Sequence, residues 1–239
     1  MSKYLGFFDT FMLRRISTTL NSKEMRQFET DNPVTAEQER LLAFGAVPIV
    51  ANLESCRTFR TKTDGLVAQK ILNDFWKIAG REDALHVAEN LASAEEHTPS
   101  DDHLYKEGIQ VKKFHLLSEV ELKCYATACS VLRDLGYGKK HLASIPSAAA
   151  WDYGRAGAVV RDCVQAGYLE EDEGWAFMEI AARNASQIYK NWEDYLAGYV
   201  FGRALGYHDD STSIYTVLAY LLDNTNSPYQ KNAFISILQ

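Results

Sequence analysis

Three ionisable residues lie on helical faces that are otherwise apolar. At about 100° per residue, Asp152 and Arg155 fall inside the apolar arc of one predicted helix, and Arg203 falls among aromatic and leucine side chains of a later helix. A carboxylate and a guanidinium three residues apart can reach each other, and burying either one alone is costly. The three residues therefore predict either a structural polar network or a pocket for an anionic ligand, because guanidinium groups bind carboxylates and phosphates. The sequence favours the network and leaves the ligand pocket as the alternative.

Two clusters of acidic residues could bind a basic partner. The residues are Glu95, Glu96, Asp101 and Asp102 in the first cluster and Glu170, Glu171, Asp172 and Glu173 in the second. The second cluster lies at a predicted helix start, where capping and solubility are the simpler explanation. Together the eight residues predict an acidic face whose carboxylates imitate phosphates for a basic protein partner.

The residue types used for catalysis and metal binding lack the spacing that would indicate a site. None of the six histidines forms an H-x-x-x-H pair, and the chain contains no P-loop, G-x-S-x-G or dinucleotide-binding motif. One segment has residue types that could bind a metal, although a solvated acidic loop is the favoured interpretation. Its residues are His97, Asp101, Asp102 and His103. We therefore expect no catalytic residue, no metal and no cofactor.

Composition excludes several classes of protein. The chain has 239 residues, of which 46% are hydrophobic, so it can bury a core without disulfides or metals. Lys and Arg number 25 and Asp and Glu number 32, and the resulting net charge of −7 disfavours a nucleic-acid binder. No run of about 18 apolar residues predicts a membrane span, and the four cysteines show no C-x-x-C spacing. These features predict a cytoplasmic protein, monomeric when free, that binds neither nucleic acid nor membrane.

Helices must position these residues, because helical spacing dominates the chain and only five prolines interrupt it. Nine helices are predicted, at 4–20, 35–54, 64–78, 82–96, 119–135, 148–166, 171–190, 192–206 and 213–223. Ser118 with Glu121 predicts a capping box, and Gly136 and Gly167 predict helix ends. Helical spacing is lost over 94–113, and one short strand or hairpin is compatible with 109–114. The predicted fold is all-α, an irregular multi-helix bundle.

The predicted helices form a single domain over 1–239. Its N-terminal half, 35–135, packs against its C-terminal half, 148–234. Gly198, Gly202 and Gly206 recur every fourth residue, which leaves backbone open to the close approach of another helix. We therefore expect a tight helix crossing at this stripe, which could alternatively serve as an interface in a larger assembly.

A longer pattern of residues extends over 151–207. Its members are Asp152, Arg155, Gly167, Tyr168, Glu173, Trp175, Trp192, Gly202 and Arg203. This segment resembles the signature region of a bacterial uncharacterised-domain family that includes the enterobacterial YbeU and YbeR proteins. Two upstream segments and the stretch 221–230 resemble other parts of the same family, so the resemblance covers roughly 36–234.

The resemblance implies a cytoplasmic bacterial protein from a family without an established activity. Some related proteins are encoded beside polymorphic or contact-dependent toxins, which implies an antitoxin role. Together with the acidic face, this predicts a non-enzymatic immunity protein that neutralises a cognate toxin of contact-dependent growth inhibition, with a basic nuclease as the expected toxin. The alternative is a small-ligand-binding or enzymatic domain that uses a buried pocket of Asp152, Arg155 and Arg203.

Overall fold

The computed structural model describes residues 7–97, 102, 118–208 and 211–234. These residues form α-helices, one π-helical segment, one 3-10 turn and connecting loops, and no β-strand occurs among them. The helices are α1 (Phe7–Leu20), α2 (Lys23–Asp31), α3 (Ala36–Phe44), α4 (Ala46–Ala51), α5 (Gly65–Ile71), α6 (Arg81–Ser93), α7 (Glu119–Asp134), α8 (Lys139–Leu142), α9 (Ala150–Gln165), α10 (Glu171–Ile188), α11 (Trp192–Gly206), α12 (Tyr215–Asp223) and α13 (Pro228–Lys231). The π-helical segment is Leu72–Trp76 and the 3-10 turn is Thr212–Ile214. The all-α prediction is confirmed, and the segment 109–114 lies outside the described residues.

Local capping signals mark the predicted start of α7 and the predicted ends of α7 and α9. The Ser118 hydroxyl accepts a hydrogen bond from the Glu121 amide, and the Glu121 carboxylate accepts one from the Ser118 amide, which completes a capping box at the start of α7. Gly136 and Gly167 follow α7 and α9 with φ of 99° and 76°, a conformation that favours glycine. These signals lie in short segments of sequence and can be recognised without knowledge of the fold.

The predicted helix 35–54 is divided at Gly45 into α3 and α4. Gly45 packs directly against Gly157 of α9, and a Cβ on Gly157 would lie 2.7 Å from the Gly45 Cα. The two backbones can approach this closely because neither residue has a side chain. The break therefore accompanies a contact between segments that are far apart in sequence.

Helix α9 is the central element of the fold. It packs against α3, α4, α5, α6, α10 and α11. Most of its side chains are buried, and one hydrophobic core extends through the described residues from Ile16 in α1 to Tyr229 in α13. Residues of both predicted halves thus share a continuous core.

The glycine stripe of α11 lies against the start of α9. A Cβ on Gly198 would lie 2.6 Å from the Ser147 carbonyl oxygen, and a Cβ on Gly202 would collide with Trp151 and the Ala148 carbonyl. A Cβ on Gly206 would be at least 3.5 Å from its nearest neighbour, an ordinary van der Waals distance. Only the first two glycines are therefore required for this tight crossing.

Within the described residues, no helix combines the length and apolar character needed to cross a bilayer.

Candidate functional site

Side chains from distant segments fix the start of α9. The Ala148 amide donates to the Asp102 carboxylate at 3.0 Å, and the Ala150 amide donates to the Tyr189 hydroxyl at 2.9 Å. That hydroxyl in turn donates to the Ser147 carbonyl at 2.8 Å. Because the amides of a first helical turn have no partner within the helix, these contacts satisfy them and hold the following turn in place.

Asp152 and Arg155 form an ion pair in this region of α9. Asp152 is 8% exposed, and burial raises the pKa of its carboxyl, while Arg155 acts in the opposite direction. The Arg155 guanidinium carbon lies 4.6 Å from the ring centre of Trp151 and 5.6 Å from that of Trp76. The predicted contact between the two charged residues is therefore present, with aromatic rings packed around it.

Arg203 joins this pair through the Trp151 ring. Its guanidinium carbon lies 5.6 Å from the Trp151 ring centre and 5.7 Å from that of Tyr207. Trp76, Arg155, Trp151, Arg203 and Tyr207 thus follow one another as alternating rings and guanidinium groups, which we call the aromatic–arginine ladder. The structure brings together the three residues that the sequence singled out. Asp152 and Arg155 also line a pocket beside the ladder, described below, whereas Arg203 does not.

The π-helical segment brings Trp76 to the ladder. It follows α5 directly and ends at Lys77, whose φ of 58° is left-handed. A π-helical turn is wider than an α-helical turn and shifts the direction of the residues after it. From the sequence, Trp76 lies inside the predicted helix 64–78 and has no evident connection with Asp152 or Arg155, because helical periodicity does not reveal a local change of pitch.

A pocket of about 340 Å³ opens beside the ladder and is called the polar pocket here. Its lining residues are Glu96, His97, Glu121, Ala148, Trp151, Asp152, Arg155, Gly202, Leu205 and Gly206. The Arg155 Nε is buried and has no hydrogen-bond partner among the described residues. Glu121, interpreted from sequence only as a helix cap, is a third acidic group of this lining beside Glu96 and Asp152. The Nε2 of His208 lies 3.8 Å from its carboxylate.

His97, Asp102 and Ser147 lie together but do not form a catalytic triad. The His97 Nε2 is 3.0 Å from the Asp102 carboxylate and 3.2 Å from the Ser147 hydroxyl, so one ring nitrogen faces both groups. In a triad the two ring nitrogens serve the acid and the nucleophile separately. Burial opposes ionisation of Asp102, but hydrogen bonds from His97, the Ala148 amide and Ser147 lower the pKa of its carboxyl. The group therefore acts as a cap for α9.

The first predicted acidic cluster is divided between two environments. Glu95 and Glu96 are exposed just after α6, and Glu96 also lines the polar pocket. Asp102 is partly buried and holds the start of α9. Asp101 and His103 lie outside the described residues. This cluster is therefore not a uniform exposed surface.

The second predicted acidic cluster is largely engaged by arginines and by its own helix. Glu171 lies 2.6 Å from Arg60, and Glu173 accepts two hydrogen bonds from Arg81, at 2.6 and 2.8 Å. The hydrogen bonds from Arg81 lower the pKa of Glu173 to about 2. Glu170 forms a capping box with Glu173, and Asp172 remains exposed.

The two acidic clusters lie at opposite ends of a pair of parallel helices. Arg81 at the start of α6 binds Glu173 at the start of α10, while Asn184 near the end of α10 donates to the Ala92 carbonyl near the end of α6. The eleven helical steps from Arg81 to Ala92 correspond to a rise of about 17 Å. The seven of these acidic residues that the structure describes therefore do not form the single face expected from the sequence.

Arg161 is buried although its position on the helical wheel, away from Asp152 and Arg155, gave it no role. It is 2% exposed and donates to the carbonyls of Phe59 at 2.8 Å and Arg60 at 3.1 Å. Burial lowers the pKa of the Arg161 guanidinium. Burial also raises the pKa of two cysteine thiols, Cys56 and Cys163, to about 12. Such thiols remain protonated and are poor nucleophiles.

No group of three or more His, Cys, Asp or Glu residues in the described part of the chain is arranged to hold a metal ion.

Comparison with known proteins places the chain in a family. A family model described as a protein of unknown function (DUF1266) matches residues 71–234, which is more than half of the chain and includes the residues of the polar pocket. The uncharacterized protein YbeR of Escherichia coli (strain K12) is 46% identical over 55 residues, a segment that spans 23% of this chain and 23% of YbeR. No solved structure matches the chain. The chain therefore belongs to the DUF1266 family of proteins of unknown function.

Proposed function

We propose that the protein binds a small, positively charged molecule in the polar pocket. The sequence raised a ligand pocket of Asp152, Arg155 and Arg203 as an alternative function, but with an anionic ligand. The observation that supports this proposal is a pocket of about 340 Å³ that reaches the Asp152–Arg155 pair. Ligand sites typically occupy about 300–1,000 Å³ and combine apolar walls with a few polar groups. Trp151 and Leu205 supply apolar wall, while charged side chains supply the polar groups.

The balance of charge supports a cationic ligand over the anionic one expected from the arginines. Glu96, Glu121 and Asp152 contribute three carboxyl groups to the lining, against the single guanidinium of Arg155. Arg155 is also bound to Asp152, which offsets its attraction for an anion. An amine or guanidinium on the ligand would balance the carboxylates of the lining.

The proposal is one of binding and not of catalysis. The Ser147 hydroxyl lies 3.2 Å from the His97 Nε2, but Ser147 is 3% exposed and its hydroxyl accepts a hydrogen bond from the Ala149 amide. A nucleophile must be accessible to its substrate, and this hydroxyl is neither exposed nor part of the pocket lining.

Binding can be tested with two four-carbon probes of opposite charge, putrescine and succinate, by isothermal titration calorimetry. We expect putrescine to bind and succinate to bind at least tenfold more weakly. Glu96→Gln should weaken putrescine binding several-fold, whereas Glu95→Gln, at the adjacent exposed residue outside the pocket, should leave it unchanged. Tighter binding of succinate would contradict the assigned charge of the ligand.

A pair of variants at one position tests whether the polar pocket is the site. Gly206 lines the pocket, and space is available for a Cβ there. Gly206→Leu should narrow the pocket and reduce binding of a ligand retained through purification, as measured by native mass spectrometry, whereas Gly206→Ala should retain it. Equal ligand retention by both variants would show that the ligand binds outside the polar pocket. The proposed function would be contradicted if the natively expressed protein carried no ligand and also failed to bind putrescine.

A second candidate is the cytoplasmic immunity protein suggested by the family resemblance. Glu95, Glu170 and Asp172 are exposed and form no ion pair within the described residues, and the net charge of −7 would attract a basic toxin. The separation of the acidic clusters allows each to control for the other. The first double variant carries Glu95→Lys and Glu96→Lys, and the second carries Glu170→Lys and Asp172→Lys. If the first abolishes co-purification of a cognate toxin, the second should not. Retention of the toxin by both double variants would argue against an acidic interface.

A further inference from the structure

A second pocket, separate from the polar pocket, has the opposite charge. It encloses about 230 Å³ between α2, the loop after α4 and the turn before α13. Its lining residues are Leu20, Asn21, Arg26, Glu29, Val50, Ser55, Cys56, Arg57, Tyr220, Asn226, Pro228 and Lys231. Three cations thus face a single carboxylate in a chain whose net charge is −7. We call this cavity the basic pocket.

The cations of the basic pocket come from separate segments and keep donors available. Two carboxylates orient Arg57, since its Nε lies 3.1 Å from Glu39 and its Nη1 lies 3.5 Å from Glu29, and neither contact uses Nη2. Arg26 donates through Nη1 to the Asn21 carbonyl at 2.5 Å. Lys231 has no carboxylate partner among the described residues.

Neutral polar groups complete the wall. Ser55 is buried and donates to Glu29 at 2.6 Å, which fixes the one carboxylate of the pocket beside Arg57. Burial raises the pKa of Tyr220 to about 12, so its hydroxyl retains a proton that can be donated. Asn21 and Asn226 add amide groups. Glu29 is therefore occupied within the wall, while Arg26 and Lys231 retain donors for a bound group.

We propose that the basic pocket binds a phosphate group, as inorganic phosphate or as the phosphate of a small monoester. Its charge favours an anion, and planar guanidinium donors together with a lysine ammonium match the several oxygens of phosphate. Its volume lies below the range of about 300–1,000 Å³ that accommodates a drug-sized ligand, which suits a phosphate or a small phosphoester better than a nucleotide. This proposal is independent of the one made for the polar pocket.

The test compares phosphate binding by the full-length protein and by two double variants of equal charge. Arg26→Gln with Lys231→Gln removes two cations from the basic pocket, and Arg183→Gln with Lys190→Gln removes two exposed cations elsewhere. Binding of inorganic phosphate and of glycerol 3-phosphate is measured by calorimetry at constant ionic strength, with sodium chloride as the reference salt. We expect the wild-type protein and the control variant to bind at least one of the two probes, and the pocket variant to bind it at least tenfold more weakly.

The relative affinity of the two probes distinguishes a free phosphate ligand from a phosphoester. Equal binding by the pocket variant and the wild type would overturn the proposal, as would a wild-type protein that binds neither probe. Far-ultraviolet circular dichroism of the pocket variant verifies that its helices are retained, which is expected because Arg26 and Lys231 are exposed.

Discussion

The Asp152–Arg155 pair is stabilising only while both of its members are present. The Arg155 side chain is 24% exposed and that of Asp152 is 11% exposed, so each charge has lost most of its contact with water. The two aromatic rings near Arg155 offset part of that loss, while Asp152 depends mainly on Arg155. Each charge thus depends on the other, so the effects of substituting Asp152 and Arg155 on the free energy of unfolding should not be additive.

A double-mutant cycle tests this coupling. We expect Arg155→Met to reduce the free energy of unfolding by about 1–3 kcal/mol, because it leaves the Asp152 carboxylate buried without its partner. Asp152→Asn with Arg155→Met should recover part of that loss. Urea denaturation of the wild type, both single variants and the double variant measures the coupling, and additive losses would show that the pair contributes nothing as a pair.

Asp162 predicts a pH dependence of stability. Burial raises the pKa of its carboxyl to about 6 from an ordinary value of 3.8, while Arg161 acts in the opposite direction. The folded state therefore holds the proton more tightly, so this contribution to stability is present below about pH 4 and is lost as pH rises through about 6. Asp162→Asn should become more stable than the wild type by about 1–2 kcal/mol between pH 4 and 7, since each pKa unit corresponds to about 1.4 kcal/mol and partial exposure reduces the effect.

Thermal or urea denaturation at pH 4, 5, 6 and 7 measures this difference. Glu179→Gln, at an exposed position in the middle of α10, controls for the loss of one negative charge. A difference between the wild type and Asp162→Asn that does not grow with pH would show that Asp162 is ionised as readily in the folded state as in the unfolded one.

Sequence analysis identified residues of the candidate site whose interactions are local and missed those that depend on the fold. The contact between Asp152 and Arg155 follows from their spacing on one helix. The burial of Arg161 does not, because a helical wheel assumes one buried face, whereas α9 has helices packed around most of its circumference. The ion pair of Glu173 with Arg81 joins residues 92 positions apart, so the acidic run looked free in the sequence.

At the scale of elements, the close crossing of α9 and α11 depends on two of the three glycines. We expect Gly202→Ala to lower the free energy of unfolding by about 1–3 kcal/mol, because the added methyl group would collide with Trp151 and the Ala148 carbonyl. Gly206→Ala should be neutral or slightly stabilising, since alanine favours helix and the methyl group has room. Chemical denaturation of both variants measures the difference, and equal effects would mean that the crossing is not tightly packed.

Helix boundaries were predictable where caps define them and unpredictable where distant contacts do. Helices α9 to α11 begin and end close to their predicted positions. Helix α2 was not predicted, because only Met25 and Phe28 of its nine residues are apolar and it buries only the first of them. The break at Gly45 depends on the approach of Gly157, which lies more than a hundred residues away in sequence and is not visible in local patterns.

At the scale of the whole molecule, the continuous core predicts cooperative unfolding of the single domain assigned from sequence. Helix α9 contacts helices that precede and follow it in the chain, so neither half has a separate core to retain when the other unfolds. Urea transitions followed by far-ultraviolet circular dichroism and by tryptophan fluorescence should coincide within experimental error. Two separated transitions would show that the halves are independent domains.

The parallel packing of α6 and α10 also gives the acidic run a use that requires no partner. Peptide dipoles add along a helix and leave partial positive charge at its N-terminus, so two parallel neighbours place two such charges side by side, where they repel. Glu82 and Asp83 lie in the first turn of α6, and Glu171, Asp172 and Glu173 lie in the first turn of α10. These carboxylates oppose both dipoles at the shared end of the pair. Substitutions that remove them to test a partner would therefore also weaken the packing of the two helices, most strongly at low ionic strength.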